Sequence, residues 1–187
     1  FTPRANFNGT LNLSYSVTDG TAFTAATATV AVAPVNDVPT LTTARATLVN
    51  GTEDNAYTVT AADLLQGFTD ADGDTLSIAS NAVTADHGTV VYNSGDSSYT
   101  ITPTANYNGP VTLSYGISDG TATVNTTQTF TLTATNSAPT VASGLADQTA
   151  TEDTPFAFSI PANAFSDADG DDLTYSATQV DSIGNPV

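Results

Sequence analysis

Two stretches of the chain alternate apolar and polar residues with a period of two. Leu11, Leu13, Tyr15 and Val17 alternate with Asn12, Ser14, Ser16 and Thr18. Val111, Leu113, Tyr115 and Ile117 alternate with Thr112, Ser114, Gly116 and Ser118. That period predicts half-buried antiparallel strands. Both runs end at Asp-Gly (Asp19-Gly20, Asp119-Gly120), a hairpin turn signal. Returning strands follow, carrying Val30 and Val32 in one copy and Phe130 and Leu132 in the other. Upstream of the second hairpin, strands are predicted near 40–48, 56–60, 76–83, 88–92 and 98–102. Ala62 to Phe68 reads as a short helical turn with Asp63 near its cap. Seven strands with closely spaced turn signals make a β-sandwich. Phe7 and Tyr107, at equivalent corners, read as plugs at the base of a core.

The two hairpins belong to a repeat. Thr2-Pro3, Asn8-Gly9, Asp19-Gly20 and Pro39-Thr40 recur 100 residues later as Thr102-Pro103, Asn108-Gly109, Asp119-Gly120 and Pro139-Thr140. Thr52-Glu53-Asp54 returns as Thr151-Glu152-Asp153. The unit is about one small β-domain long. Its phase divides the chain into residues 1–37 (the back part of a repeat), 38–137 (a whole repeat) and 138–187 (the front part of a third). A half-repeat lacks strands and cannot close a core alone. Two completions stand open: a neighbouring copy associating head to tail, or chain beyond the sequence given.

An acidic loop carries the chemistry. Asp70-Ala71-Asp72-Gly73-Asp74 recurs as Asp167-Ala168-Asp169-Gly170-Asp171. Closely spaced carboxylates repel one another unless a cation sits among them. Oxygen-only ligands on a flexible Gly-containing loop suit a hard cation, Ca²⁺ before Mg²⁺. An EF-hand does not fit. Counted from Asp70, its required sixth-position Gly stands fourth (Gly73), and the twelfth residue is Asn81 instead of a carboxylate. The remaining ligands must come from elsewhere in the fold.

In a seven-stranded sandwich, alternate turns lie at opposite ends. The loop 70–74, the turn at Asp119 and the linker Asn36-Asp37 fall at one end. The turn holding Glu53-Asp54 falls at the other, near the linker Asn136-Ser137 and facing the loop 167–171 of the next repeat. The first junction is therefore expected to use Asn36, Asp37, Asp70, Asp72, Asp74 and Asp119. The second is expected to use Glu53, Asp54, Asn136, Asp167, Asp169 and Asp171. Glu152 and Asp153, which repeat Glu53 and Asp54, complete the candidate metal set.

Composition narrows the function classes. The net charge is −17, with Arg4 and Arg45 the only basic residues, which opposes binding to nucleic acid or an anionic membrane. Charged residues are only 11%, against 40% hydrophobic, so this is not an acidic disordered tail. No apolar run is long enough to span a membrane. Cysteine is absent, and bound metal is an alternative staple for a small secreted domain. Without Cys, and with a single histidine, His87, a nucleophilic triad is not expected. His87 reads as a solvated turn residue, and the chain reads as a non-enzyme.

These residues carry a family resemblance. Pro34-Val35-Asn36-Asp37-Val38-Pro39 resembles the cadherin inter-domain linker. The Asp-rich loop resembles the cadherin Asp-x-Asp motif, and Glu53 the Glu at the domain base. Together with "NFNGTLNLSYSVTDG", "TEDNAYTV" and "FTDADGDTL", they resemble the cadherin-like tandem repeats of large bacterial (RTX-type) surface adhesins. Residues 138–187 are similar to the dystroglycan-type cadherin-like subfamily. The resemblance implies an all-β fold of tandem seven-stranded Greek-key sandwiches joined end to end by Ca²⁺-binding linkers. It further implies a calcium-stiffened structural or adhesive module at the bacterial cell surface or outside the cell. The implied partners are neighbouring repeats and a cell-surface glycan or protein. A carbohydrate- or protein-binding module, a spacer in a secreted multidomain enzyme, and a self-assembling filament subunit stand as alternatives. The second linker has Ser137 where the first has Asp37, a carboxylate fewer.

Overall fold

The computed structural model describes residues 1–179. They fall into two compact units, one spanning Phe1–Thr133 and one starting at Ala134. The first unit opens with the hairpin β1 (Gly9–Thr18) and β2 (Phe23–Val32), with Leu13 opposite Ala28 and Tyr15 opposite Ala26. There follow β3 (Thr40–Leu41), β4 (Gly51–Thr52), β5 (Tyr57–Thr60), α1 (Ala61–Leu65) and β6 (Phe68–Thr69). The rest of the unit is β7 (Ser77–Ala85), β8 (Gly88–Asn93), β9 (Ser98–Pro103), β10 (Gly109–Ser118) and β11 (Thr123–Thr133). The second unit contains β12 (Thr140–Val141) paired antiparallel with β13 (Phe165–Ser166).

Two sheets build a sandwich: one in the order β4-β11-β10-β7, the other β5-β9-β8. Their neighbours are antiparallel except β4, which runs parallel to β11. The alternation read from sequence sets the inward face. Val111, Leu113 and Ile117 of β10 are each 0% exposed and meet Val59, Tyr99 and Ile101 of the other sheet. Tyr57 stacks on Phe130 between the sheets at 3.9 Å. The fold is all-β and sandwich-like, as the two-residue period requires.

Three expectations need correction. No continuous strand covers 40–48; only Thr40–Leu41 pairs there, with β6. The chain turns because the N–H groups of Thr42 and Thr43 both donate to the Gly67 carbonyl. Side chains then hold the irregular segment. Arg45 donates to the Thr127 carbonyl and Thr126 Oγ1 and lies over the Phe68 ring, while Gln128 Nε2 donates to the Ala46 carbonyl. The strand that takes its place beside β11 is β4. The helix is also shorter than 62–68. Thr60 caps it, accepting from the Asp63 N–H while Asp63 accepts from the Thr60 N–H, a reciprocal capping box. It ends before Gly67, whose φ of +89° suits only glycine; a Cβ there would lie 2.6 Å from the Thr43 carbonyl oxygen. Finally, His87 is half-buried, stacked 3.7 Å from the Tyr107 ring. Tyr107 packs against the core as expected, and its hydroxyl donates to the Pro110 carbonyl.

Tyr15 and Tyr115 occupy equivalent strand positions in different surroundings. Tyr115 is 4% exposed, its hydroxyl shared between the Leu64 carbonyl and Gln128 Oε1, whereas Tyr15 is 51% exposed. Tyr115→Ala is expected to cost about 3–5 kcal/mol in urea unfolding of the sandwich. Tyr15→Ala, in dilute solution, is expected to change it by less than about 0.5 kcal/mol.

Candidate metal centre

The loop after β6 is shaped by its own first carboxylate. Asp70 Oδ1 accepts from the N–H of Asp72 at 2.8 Å and of Asp74 at 3.3 Å. Gly73, at φ +83°, permits the tight bend. One carboxylate oxygen from each of Asp70, Asp72 and Asp74 lies within 4.8 Å of the others. At that separation each like-charged pair repels by about 1 kcal/mol in bulk water and about 3–4 kcal/mol at a near-surface dielectric.

The linker is drawn into the same place. The Asp37 N–H donates to Asp72 Oδ2 at 2.7 Å. Asn36 Nδ2 donates to Asp119 Oδ2 at 3.0 Å and to the Asp37 carbonyl at 3.0 Å. Asp119 is buried, and its Oδ1 accepts from the N–H groups of Thr121 and Ala122. The Ala122 N–H, the Asn36 amide and the Thr121 N–H hold its carboxyl below the ordinary carboxylate range. Asn36, Asp37, Asp70, Asp72, Asp74 and Asp119 thus meet at one end of the sandwich, joined by hydrogen bonds across up to 83 residues of sequence.

Glu53 and Asp54 lie elsewhere. Glu53 is 1% exposed and accepts from Asn108 Nδ2 at 3.3 Å. Asp54, at φ 58°, accepts from the Asn106 N–H at 2.9 Å. The second acidic loop lies in the second unit and repeats the backbone bonds of the first, while the three-carboxylate convergence is found among the described residues at Asp70, Asp72 and Asp74. Asp167 Oδ1 accepts from the N–H of Asp169 and Asp171, and the Ser137 N–H donates to Asp169 Oδ2 at 2.6 Å. Asn136 Nδ2 donates to the Ser137 carbonyl, as Asn36 does to that of Asp37. The change from Asp37 to Ser137 therefore keeps the backbone contact and removes one carboxylate. Glu152 and Asp153 are exposed; Asp153, at φ 57°, adopts the backbone form of Asp54.

Two asparagines were missed at sequence level. Asn8 lines an open cleft of about 430 Å³ together with Pro34, Val35, Asn36, Asp72 and Asp74. Its repeat equivalent is Asn108, the partner of Glu53. The signal was present in the recurring Asn-Gly at 8–9 and 108–109, which reads first as a turn.

The residues at the first loop fit Ca²⁺. Their donors are oxygens, as a hard cation requires. Asp70 Oδ2 is buried and has no hydrogen-bond partner among the described residues, while its sister oxygen holds the loop. A cation among the three carboxylates would satisfy that acceptor.

Comparisons with known proteins address the family. A model of the cadherin-like domain matches residues 1–33 and 35–133. A second model, described as "Putative Ig domain", matches residues 138–186. No curated protein matches the chain. Among solved structures, the chain is similar to an endo-fucoidan hydrolase, MfFcnA4, of glycoside hydrolase family 107. Identity is 19% over 71% of this chain and 20% of that one, with a TM-score of 0.34. It is also similar to domains 4–9 of the surface layer protein SbsC, at 20% identity over 96% of this chain and 25% of that one, with a TM-score of 0.28. The chain spans about a fifth to a quarter of these structures. The family-model match, extending over most of the sequence, settles the classification: the chain belongs to the cadherin-like domain family.

Proposed function

We propose that this chain is a calcium-stiffened structural module of an extracellular protein, non-enzymatic, in which Ca²⁺ ties each linker to the acidic loop beside it. The observation that carries the reading is the buried, unpartnered Asp70 Oδ2 among three converging carboxylates, bonded through Asp72 to the linker. Ca²⁺ at this place supplies positive charge that offsets the carboxylate repulsion. Asp70, Asp72, Asp74 and the carboxylate of Asp37 would hold it, with Asn36 and Asp119 closing the ring. Asp167, Asp169, Asp171 and Asn136 form the matching set in the second unit, to which the reading adds Glu53, Asp54, Glu152 and Asp153. On this reading the segments 1–37, 38–137 and 138–187 are successive parts of a repeat array. The array is a stalk of a bacterial surface adhesin of the RTX type, and its last segment belongs to the dystroglycan-type subfamily.

Linkers bury little apolar surface, and a small interface leaves a flexible connection by default. The sandwich has its own core and should persist without metal. Scattering across a Ca²⁺ titration is expected to show the maximum dimension falling as Ca²⁺ is removed, while circular dichroism keeps its β signature. A constant dimension as Ca²⁺ leaves would contradict stiffening. Calorimetry should show a higher melting temperature in Ca²⁺ than in chelator, because a ligand that binds only the folded state stabilises it. Asp72→Asn should abolish most of that rise; an undiminished rise would contradict the assignment. With one carboxylate fewer, the Ser137 junction should loosen at a higher residual Ca²⁺ than the Asp37 junction.

A further inference from the structure

The two walls of the first acidic site stand on elements that no strand pairing joins among the described residues. The loop 70–74 follows β6, which pairs with β3 in a sheet of two strands. Asp119 lies in the turn between β10 and β11, in the sheet β4-β11-β10-β7. The linker crosses this gap at the site itself, through Asn36 to Asp119 and Asp37 to Asp72. The segment 42–46 crosses it as well.

At one end of that segment, the N–H groups of Thr42 and Thr43 donate to the Gly67 carbonyl, and Thr42 Oγ1 meets Thr69 Oγ1 at 3.1 Å. At the other end, Gln128 Nε2 donates to the Ala46 carbonyl. Arg45 spans both walls by itself. Its guanidinium donates to the Thr127 carbonyl and Thr126 Oγ1 on β11, and its Cζ lies over the Phe68 ring of β6, 5.0 Å from the centroid. Phe68 stands two residues before Asp70, and Thr126 seven after Asp119. A guanidinium is a rigid planar fork, so donors directed at β11 and a contact with the ring fix one spacing between the two elements. Arg45 is one of two basic residues against 19 acidic ones, yet these partners are neutral.

We propose that Arg45 is a positioning residue for the cation site: it is the crosspiece that sets the spacing between the loop 70–74 and the Asp119 turn, and the affinity of the site depends on it. Arg45 has this role only if the loop binds Ca²⁺, as proposed above. Electrostatics alone gives the opposite sign. A fixed positive charge repels a nearby cation, so losing the charge tightens binding. Losing the crosspiece loosens it, because the carboxylates are no longer held at ligand spacing.

The test is a titration of Ca²⁺ into the 187-residue chain, followed through the backbone amide signals of Gly73 and Gly170, one in each acidic loop. Both signals are expected to respond in the wild type. Arg45→Gln should raise the Gly73 midpoint by about threefold or more and leave that of Gly170 in place. Phe68→Leu should do the same from the other wall with no change of charge. The double variant should bind no more weakly than the weaker single one, since both remove one contact. Arg45→Lys keeps the charge without the fork and should stay weak. The signals come from folded molecules, so a loss of overall stability does not by itself move a midpoint. A lower melting temperature in chelator with an unmoved Gly73 midpoint would make Arg45 merely structural and overturn the proposal. So would a tighter midpoint in Arg45→Gln, or full recovery in Arg45→Lys. If Gly73 of the wild type ignores Ca²⁺, the metal site itself falls and takes the role of Arg45 with it. If the wild type responds and Arg45→Gln matches it, the role of Arg45 alone falls.

Discussion

Mutual repulsion among the carboxylates of Asp70, Asp72 and Asp74 is the constraint around which the first unit is arranged. The loop gathers them because Asp70 Oδ1 takes two backbone N–H groups, and this turns Oδ2 into a buried position with no donor among the described residues. A loop designed only to turn would not leave an acceptor this way, since buried polar groups are nearly always paired. The linker follows from the same arrangement. Asp37 reaches Asp72 through its N–H, and Asn36 reaches Asp119 through its amide, so three parts of the chain converge on one group of acids.

The sandwich carries that loop at one end and has a core of its own. Its core is a stack of alternating apolar residues, with Tyr57 on Phe130 bridging the sheets and Tyr115 anchored to Leu64 and Gln128. Gly67 links the two functions. Its carbonyl takes the N–H groups of Thr42 and Thr43 and ends the run from β3, and its positive φ turns the chain from α1 into β6 and the acidic loop. The acidic loop and the apolar core are therefore built from separate sets of residues within one unit.

Much of this was legible in the sequence because the repeat wrote it twice. The period-two runs located β1 and β10, Asp-Gly located their turns, and the recurring acidic loop located the carboxylates. Tertiary hydrogen bonds decided what sequence could not. The stretch 40–48 has the composition of a strand, but its N–H groups and carbonyls are claimed by Gly67 and Gln128, which lie far along the chain. His87 carried no periodic signal, so its stacking on Tyr107 was invisible. Asn8 and Asn108 were hidden in an Asn-Gly pair whose commonest meaning is a turn. Residues 180–187, the end of the third segment, lie outside the described residues.

The account's central claim is that a cation belongs among the aspartates of the acidic loop. Crystals grown with Ca²⁺, or with a lanthanide in its place, allow that to be read from anomalous scattering. The account predicts a peak about 2.3–2.6 Å from oxygens of Asp70, Asp72 and Asp74, with Asp70 Oδ2 among the ligands. A map with no peak there, or with cations only at solvated acids away from the loop, would contradict it.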